Sequence, residues 1–285
     1  MIESNSQSLK TSPNTLAPTA PVRVHLWHKR RITMVVTLLL LAGITLYQLA
    51  TLSTANVHFG AASVAFFKNA ALIFLQPGLS GTDSWADLLT ALAISAALAT
   101  LTTLLGAIVA FFIGLFAATN LANRRISLAI KTGMAIIRAI PTILWVLIFS
   151  IVIGLGADAA VIGLSFHSIA YLTKAYAESF EDLNQEAIEA LQATGASWWQ
   201  IIFQAVLPSS LPMLLSWTFI RFEINFTNAI AVGAAAGAGG IGYQLFTASS
   251  FYFDFHEIGV IIYLCLAVTA CLEFISVKLR KRYLK

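Results

Sequence analysis

The stretch Glu189-Ala190-Leu191-Gln192-Ala193-Thr194-Gly195, with Leu207-Pro208 twelve residues after its glycine, lies within a polar segment that runs from Glu178 to Pro208. The sequence on both sides of this segment is strongly apolar. Lipid offers no hydrogen-bond partners to an irregular backbone, so a polar connection between two membrane helices has to lie outside the bilayer. We therefore expect residues 178–207 to form an ordered loop that docks onto a soluble partner.

The composition is that of a membrane protein. Of the 285 residues, 58% are hydrophobic and 11% are charged, whereas a soluble domain carries about 25% charged residues. The net charge is +4, but the basic residues lie at the ends of apolar runs, where membrane topology requires them. We therefore expect contacts with membrane lipid and none with nucleic acid. Cys265 and Cys271 fall inside the last apolar run and are expected to be packed thiols.

Apolar runs of about 20 residues predict an all-α polytopic membrane protein with about six transmembrane helices. Residues 1–28 are expected to form a disordered cytoplasmic tail. Residues 29–84 should hold the first transmembrane helix and, over 54–86, an interfacial segment outside the cytoplasm. Residues 85–285 should form the core domain. The six predicted spans are 32–52, 87–118, 127–153, 157–177, 208–232 and 257–277.

The basic residues also orient the chain. With the N-terminus in the cytoplasm, most lysines and arginines lie inside or at the inner boundary, and the only basic residue in a predicted outer segment is Lys68, in 54–86. Cytoplasmic loops of membrane proteins carry this excess of positive charge. The sequence therefore predicts that both termini and the loop 178–207 are cytoplasmic.

Two short helices are predicted inside the loop. Asp182 with Gln185 gives a weak start signal, and Gly195 suits the left-handed position that ends a helix. The stretch Ser197–Gln200 has the pattern of a capping box, which would start a second helix with an apolar stripe. Pro208 fits the first turn of the following membrane helix. The alternative is an amphipathic loop whose apolar stripe packs on its own bundle.

Glu189-Ala190, then Gly195 five residues after Ala190, then Leu207-Pro208 form a pattern that resembles the cytoplasmic loop signature of ABC importer permeases. In that family the loop is the coupling helix, which lies in a groove of the ATPase subunit. Leu191 and Ala205 depart from the usual alanine and isoleucine. The resemblance assigns the coupling role to Glu189, Ala190, Gly195, Ala196, Leu207 and Pro208.

Further motifs resemble those of phosphonate- and phosphite-type permeases, from about residue 85 to the C-terminus. Thr142 and the stretch Phe226-Thr227-Asn228 depart from the family pattern, the latter by lacking an arginine often found there. The resemblance implies a type I ABC importer permease that moves phosphonate, phosphite or a related small phosphorus oxyanion. The matching motifs are Arg138-Ala139-Ile140-Pro141 with Trp145, Lys174–Ser179, Arg221–Asn225 and Gly237–Gly242.

The resemblance also implies the partners. They are two copies of an ABC ATPase subunit, a second permease copy in a homodimer, and an extracytoplasmic substrate-binding protein, all at a bacterial inner membrane. The sequence G-x-x-x-x-G-K-[ST] does not occur in the chain, so ATP and Mg would be used by the ATPase. We expect no catalytic residue, cofactor or metal in this chain, which is not itself an enzyme.

Ionisable residues inside the spans are candidates for the translocation pathway. Arg138 lies about eleven residues into the third span, and Arg221 and Glu223 lie about thirteen and fifteen into the fifth, near mid-membrane at 1.5 Å per residue. Such groups are costly unless they are paired or hydrated. We expect Arg138 to pair with Glu223, and Arg221 or Asn225 to face the pathway. A purely structural ion pair fits equally well.

The stretch Gly237-Ala238-Gly239-Gly240-Ile241-Gly242 matches G-x-G-x-x-G, but no strand precedes it, which excludes a dinucleotide site. It is either a tight turn or a bend at the outer mouth of the pore whose N–H groups meet an anion. The second alternative makes Gly237, Gly239, Gly240 and Gly242 gate residues. His167 is expected to be a hydrogen-bonded packing residue.

Two other functional classes stay open at this point. An autonomous secondary transporter or channel for a small anion would work without an ATPase. A membrane-embedded enzyme is disfavoured, because the spans contain no nucleophile–base pair, metal cluster or carboxylate dyad.

Overall fold

The computed structural model describes residues 29–51, 58–79, 81 and 83–283, with side chains as far as Lys278. The predicted tail, residues 1–28, lies outside the described residues. The chain divides into two compact units between Phe59 and Gly60. This break lies earlier in the chain than the predicted core boundary at residue 85.

Helix α1 (Lys29–Thr51) lies in the first unit and matches the predicted first span, 32–52. It contains 23 residues, is mostly apolar after Lys29-Arg30-Arg31, and has no buried side chain. At 1.5 Å per residue it is about 35 Å long, which is enough to cross a bilayer core of about 30 Å.

The regular secondary structure of the second unit is all helical among its described residues. Two five-residue π-turns, Ile202–Val206 and Ala248–Tyr252, follow α8 and α10. The remaining helices are α2 (Phe59–Leu75), α3 (Trp85–Ala117), α4 (Arg124–Ala139), α5 (Thr142–Ile153), α6 (Ala157–Glu181), α7 (Gln185–Ala193), α8 (Trp198–Ile201), α9 (Leu207–Ala236), α10 (Gly240–Thr247) and α11 (Phe255–Tyr283).

Helix α2 occupies the segment predicted to be interfacial. It has 17 residues, which is shorter than the roughly 20 that span a bilayer. Its C-terminal end packs on α11, where the Tyr263 hydroxyl donates to the Phe74 carbonyl oxygen at 2.7 Å. Gly259 approaches the Ile73 carbonyl so closely that a Cβ would collide with it. The interfacial position itself stays a prediction.

Helix α3 is the centre of the bundle. It starts at a capping box, in which the Ser84 N–H donates to Asp87 at 2.9 Å and the Asp87 N–H donates back to Ser84 Oγ at 3.3 Å. It packs most extensively on α6, and small residues permit this approach. A Cβ added at Gly106 would lie 2.7 Å from Cβ of Ser168 on α6.

The predicted third span, 127–153, is broken into α4 and α5, which meet at 88°. The reason is Pro141, which has no N–H to donate and disfavours helical dihedrals in the residue before it. Ile140 accordingly has extended dihedrals, φ −90 and ψ 126. The Ile137 carbonyl oxygen, left near the break, accepts a hydrogen bond from Trp145 Nε1 at 2.9 Å.

The sequence predicted a second loop helix that ends before the fifth span, 208–232. The structure has no break between the two. Residues Trp198–Ala236 form one continuous helix of 39 residues. The ring of Pro208 would clash with the Gln204 carbonyl in a regular α-helix, and the π-turn widens the helix at this point. Within the turn the Leu207 N–H donates to the Ile202 carbonyl, five residues back.

Fewer helices qualify as membrane spans, by length and apolar composition, than the six that the sequence predicted. Among the described helices, four are long and apolar enough to cross a membrane, and the bent pair α4–α5 would make a fifth. Helix α6, the predicted fourth span, has 25 residues but is not apolar enough to count with them. Its surroundings explain this composition, since buried positions inside the bundle tolerate polar side chains that find partners there.

We expect Gly106→Ala to lower the free energy of unfolding by about 1–3 kcal/mol, because the new methyl group has no space against α6. Gly133→Ala is the matched control, since a Cβ at Gly133 has nothing within 4 Å. The control should be neutral or slightly stabilising, as alanine is the better helix former. Unfolding of the purified protein in detergent measures both, and equal stabilities would contradict the close α3–α6 packing.

Candidate functional site

The polar segment 182–206 begins where α6 ends. Asp182 does not start the next helix, as the sequence predicted, but caps the C-terminus of α6, and its N–H donates to the Glu178 carbonyl. Asn184 takes the predicted starting role, because its side-chain oxygen accepts the Glu186 N–H at 3.0 Å. The second loop signal is confirmed at Ser197, whose N–H donates to Gln200 Oε1 at 2.7 Å in a capping box.

Gly195 ends α7 in the left-handed conformation that the sequence predicted, with φ +76. Its N–H donates to the Gln192 carbonyl at 3.0 Å, and the Ala196 N–H donates to the Leu191 carbonyl at 3.1 Å. These two bonds are those of a Schellman motif, which satisfies the last carbonyls of a helix. The direction in which the chain leaves α7 is therefore fixed by backbone geometry.

The apolar stripe of the segment packs on its own bundle. Ile188, Ile202 and Val206 are buried in a cluster with residues of α3 and α6. Trp198 stacks on Phe116 with ring centroids 5.5 Å apart, and its Nε1 donates to a carbonyl oxygen of the α3–α4 loop at 2.9 Å. This stripe holds the segment in place and is not the surface that can meet a partner.

The opposite face of the segment is exposed and carries both acidic and aromatic side chains. Glu189 and Ala190 are exposed on α7. Trp199 and Phe203 are 49% and 55% exposed and stack on each other, with ring centroids 6.1 Å apart. Exposed aromatic pairs of this kind are the residues that protein interfaces favour. Leu207 and Pro208 lie beyond the π-turn, in the first turn of α9.

Glu181, the last residue of α6, holds the start of the segment 182–206 in place. Its carboxylate accepts hydrogen bonds from the Thr119 N–H at 2.6 Å and from the Thr119 hydroxyl at 2.8 Å. Lys131 Nζ lies 2.7 Å from the same carboxylate. Partial burial acts to raise the pKa of Glu181, but the bonds from Lys131 and Thr119 outweigh it and hold the pKa below its usual value.

A second polar constellation lies inside the bundle, where α3, α6 and α9 meet. Arg221 is 1% exposed, and its Nε donates to Ser168 Oγ at 3.0 Å. Its Nη2 lies 3.2 Å from Nδ1 of His167, and the guanidinium lies 5.1 Å from the ring centre of Tyr171. His167 is thus the hydrogen-bonded packing residue that the sequence predicted.

Asn225 joins all three helices. Its side-chain Nδ2 lies 2.9 Å from Oγ1 of Thr103 on α3 and 2.9 Å from Oγ of Ser168 on α6. The residue is fully buried. The side chains of Arg221 and Asn225 are both turned into this junction, and the role expected for them in the translocation pathway stays a prediction. Sequence reasoning missed the hydroxyl partners, since serine and threonine give no signal of which helix they will meet.

Arg138 and Glu223 were predicted to pair. Arg138 is half-buried, and its Nε donates to the Met134 carbonyl of its own helix at 3.4 Å. Glu223 lies on α9, and its pairing with Arg138 stays a prediction.

The glycine-rich stretch forms the turn between α9 and α10. Gly237, Gly239 and Gly240 have φ of +63, +78 and +72, which only glycine adopts readily. A Cβ at Gly242 would collide with the carbonyl of Ile230. The alternative of a tight turn is therefore confirmed, whereas a role for these glycines at the mouth of a pore stays a prediction.

The described residues contain no group of three or more His, Cys, Asp or Glu side chains that could hold a metal ion. The described residues thus combine an exposed segment with a buried hydrogen-bonded junction. Comparison with known proteins agrees with this picture. A family model described as "Binding-protein-dependent transport system inner membrane component" matches residues 110–282. The chain belongs to this family of ABC importer permeases.

Relatives of the permease include two curated proteins. It is 30% identical over 197 residues to the phosphate-import permease protein PhnE of Mycolicibacterium smegmatis, covering 69% of this chain and 37% of that longer protein. It is 30% identical over 211 residues to the phosphite transport system permease protein PtxC of Stutzerimonas stutzeri, covering 73% of this chain and 74% of that protein.

The fold of the permease is also found among solved structures. A chain of the MetNI methionine ABC transporter in an inward-facing conformation matches with a TM-score of 0.64 and 19% identity, covering 72% of this chain and 99% of that one. The permease is therefore a multi-pass inner membrane subunit of a binding-protein-dependent ABC importer. As a permease subunit it carries no catalytic site and no cofactor.

We expect Asn225→Ala to lower the free energy of unfolding of the permease by about 1–3 kcal/mol, because it removes the buried hydrogen bonds from the Asn225 amide to Thr103 and Ser168. Thr227→Ala, two residues along the same helix, is the control. Thr227 is exposed and its hydroxyl bonds only to the Glu223 carbonyl of its own helix. Equal stability of the two variants in detergent unfolding would show that the junction does not hold the bundle.

Proposed function

We propose that the permease carries a phosphonate, phosphite or related small phosphorus oxyanion, which a binding protein delivers from outside the cytoplasm. The observation that carries this proposal is the 30% identity with a phosphite permease over 74% of that protein's length. The arginines within the bundle, Arg138 and Arg221, support it, because cationic groups near mid-membrane attract an anion into a low-dielectric region.

The segment 182–206 is proposed as the cytoplasmic coupling loop, with both chain termini on the same side of the membrane. The asymmetry of basic residues supports this orientation. The exposed face with Glu189, Ala190, Trp199 and Phe203 would contact the ATPase, and the buried face would pass the displacement to α3 and α6. The geometry set by Gly195 and Ala196 holds the two helices of the loop in register for that contact.

Two permease copies and two ATPase subunits complete the proposed transporter. Closed two-fold pairs are the commonest assembly of identical subunits. The pathway would then run between the copies, with Arg138 and the turn at Gly237–Gly242 near it. Arg221 and Asn225 would hold the wall of that pathway from behind, and Glu223 would lie on the same helix.

Transport in reconstituted vesicles tests the proposed function. The permease, its ATPase and its binding protein should take up labelled phosphite or methylphosphonate when ATP is present on the ATPase side, and uptake should stop without ATP. Uptake by the permease alone would favour an autonomous anion transporter. ATP-dependent uptake of methionine with no competition by oxyanions would contradict the proposed substrate class.

A second test addresses the coupling loop through Gly195. Proline cannot adopt the positive φ of this position, whereas asparagine tolerates it. We expect Gly195→Pro to insert into the membrane at normal levels but to lose stimulation of the ATPase, by roughly tenfold if a well-placed contact of about 1.4 kcal/mol is lost. Gly195→Asn should keep most of the stimulation.

ATPase activity of the reconstituted complex, with and without binding protein, measures this effect. Equal activity of the proline and asparagine variants would show that the loop geometry is not what couples the subunits.

A further inference from the structure

A small pocket lined by both apolar and charged side chains lies between α4 and α6, at the end of the bundle that carries the segment 182–206. Its volume is about 130 Å³. Three basic side chains line it, those of Lys131, Arg138 and Lys174, against two acidic ones, those of Glu178 and Glu181. The wall of this pocket therefore has an excess of positive charge.

The two acids are already engaged by the two lysines. Lys131 Nζ lies 2.7 Å from Glu181, and Lys174 Nζ lies 3.3 Å from Glu178. These pairs hold the lysines at the rim and cancel their charges. The excess positive charge then belongs to Arg138.

Arg138 retains donors for a ligand. The hydrogen bond from its Nε to the Met134 carbonyl is long, at 3.4 Å, and it engages one of the five N–H groups of a guanidinium. The planar arrangement of these groups matches two oxygen atoms of a phosphorus oxyanion at once. Arg138 also lies beside Pro141, so the bend between α4 and α5 fixes its place in the bundle.

Thr173 is the second feature that points to a ligand. It lines the same pocket, is 1% exposed, and its hydroxyl has no hydrogen-bond partner among the described residues. Most buried hydroxyl groups are hydrogen-bonded, and a threonine in a helix usually donates to a carbonyl of the preceding turn. A hydroxyl without a protein partner beside a cationic pocket is available to an incoming oxygen atom.

We propose that this pocket binds a small tetrahedral oxyanion on its way through the permease, with Arg138 as the charged ligand and Thr173 as the neutral one. The inference rests on the proposed function and names the site at which the substrate class is held. The volume is that of about four water molecules at roughly 30 Å³ each, which is enough for phosphite or phosphate. The nearby acids weaken the binding, and a transit site has to release what it holds.

A lipid phosphate group would present the same chemistry to Arg138 and Thr173. The two sources differ in size and attachment, because a headgroup brings acyl chains that have to lie outside the bundle. The experiment therefore compares free oxyanions with an anionic lipid.

Thermal unfolding of the permease–ATPase complex in maltoside micelles tests the site. Inorganic phosphate and phosphite, each against chloride at equal ionic strength, should raise the unfolding temperature of the wild-type complex. Arg138→Gln should raise the half-saturating concentration by about tenfold, and Thr173→Val by about fivefold, as expected for loss of a charged and a neutral hydrogen bond. Arg125→Gln, an exposed change on the same helix, should leave it unchanged.

Thr173→Val keeps the experiment decisive if Arg138→Gln folds poorly, because it removes a hydroxyl that has no protein partner and retains the side-chain shape. Protection of both variants as strong as that of the wild type would overturn the site, and so would protection by phosphatidylglycerol alone. Absence of any protection while the vesicles still import phosphite would overturn the site and leave the proposed function standing. Protection without any oxyanion import would support the site and refute the proposed function.

Discussion

The hydrogen bonds of Asn225 are the interaction on which the bundle depends. One amide joins α9 to hydroxyl groups on α3 and α6, in a region where lipid cannot compete as a hydrogen-bond partner. Gly106 brings α3 against α6 at the level of Ser168, so the same serine receives both the packing contact and the polar contact. Small residues and paired polar groups act together here, since apolar side chains alone gain little by leaving lipid for protein.

The exposed segment takes its position from this bundle. Glu181 is bonded to Thr119 and Lys131, and Trp198 is bonded to the α3–α4 loop. The segment is therefore held where it begins and again at Trp198, while Trp199 and Phe203 stay exposed. A docking surface that was loosely attached would absorb an imposed displacement, whereas this one is tied directly to α3, α4 and α6.

Local signals in the sequence predicted local structure well. The left-handed glycine at Gly195, the capping box at Ser197 and the turn at Gly237–Gly242 all follow from backbone dihedrals and neighbouring side chains. Contacts between distant residues could not be predicted in the same way. The inward orientation of Arg221 and Asn225 depends on hydroxyl groups that lie between 53 and 123 positions away in the chain. The bend at Pro141 and the continuity through Pro208 show that a proline can break a helix or be accommodated by a π-turn, and the surrounding packing decides which.

The uninterrupted helix Trp198–Ala236 has a mechanical consequence. Its 39 residues measure about 58 Å at 1.5 Å per residue, so a tilt of about 10° at one end sweeps the other through about 10 Å. The aromatic pair lies near one tip of this lever, and the glycine turn lies at the other. The π-turn at Ile202–Val206 leaves the helix continuous, so that the tip and the rest of the rod tilt together. A small push at the membrane surface can thus become a stroke as wide as a hydrated ion on the far side.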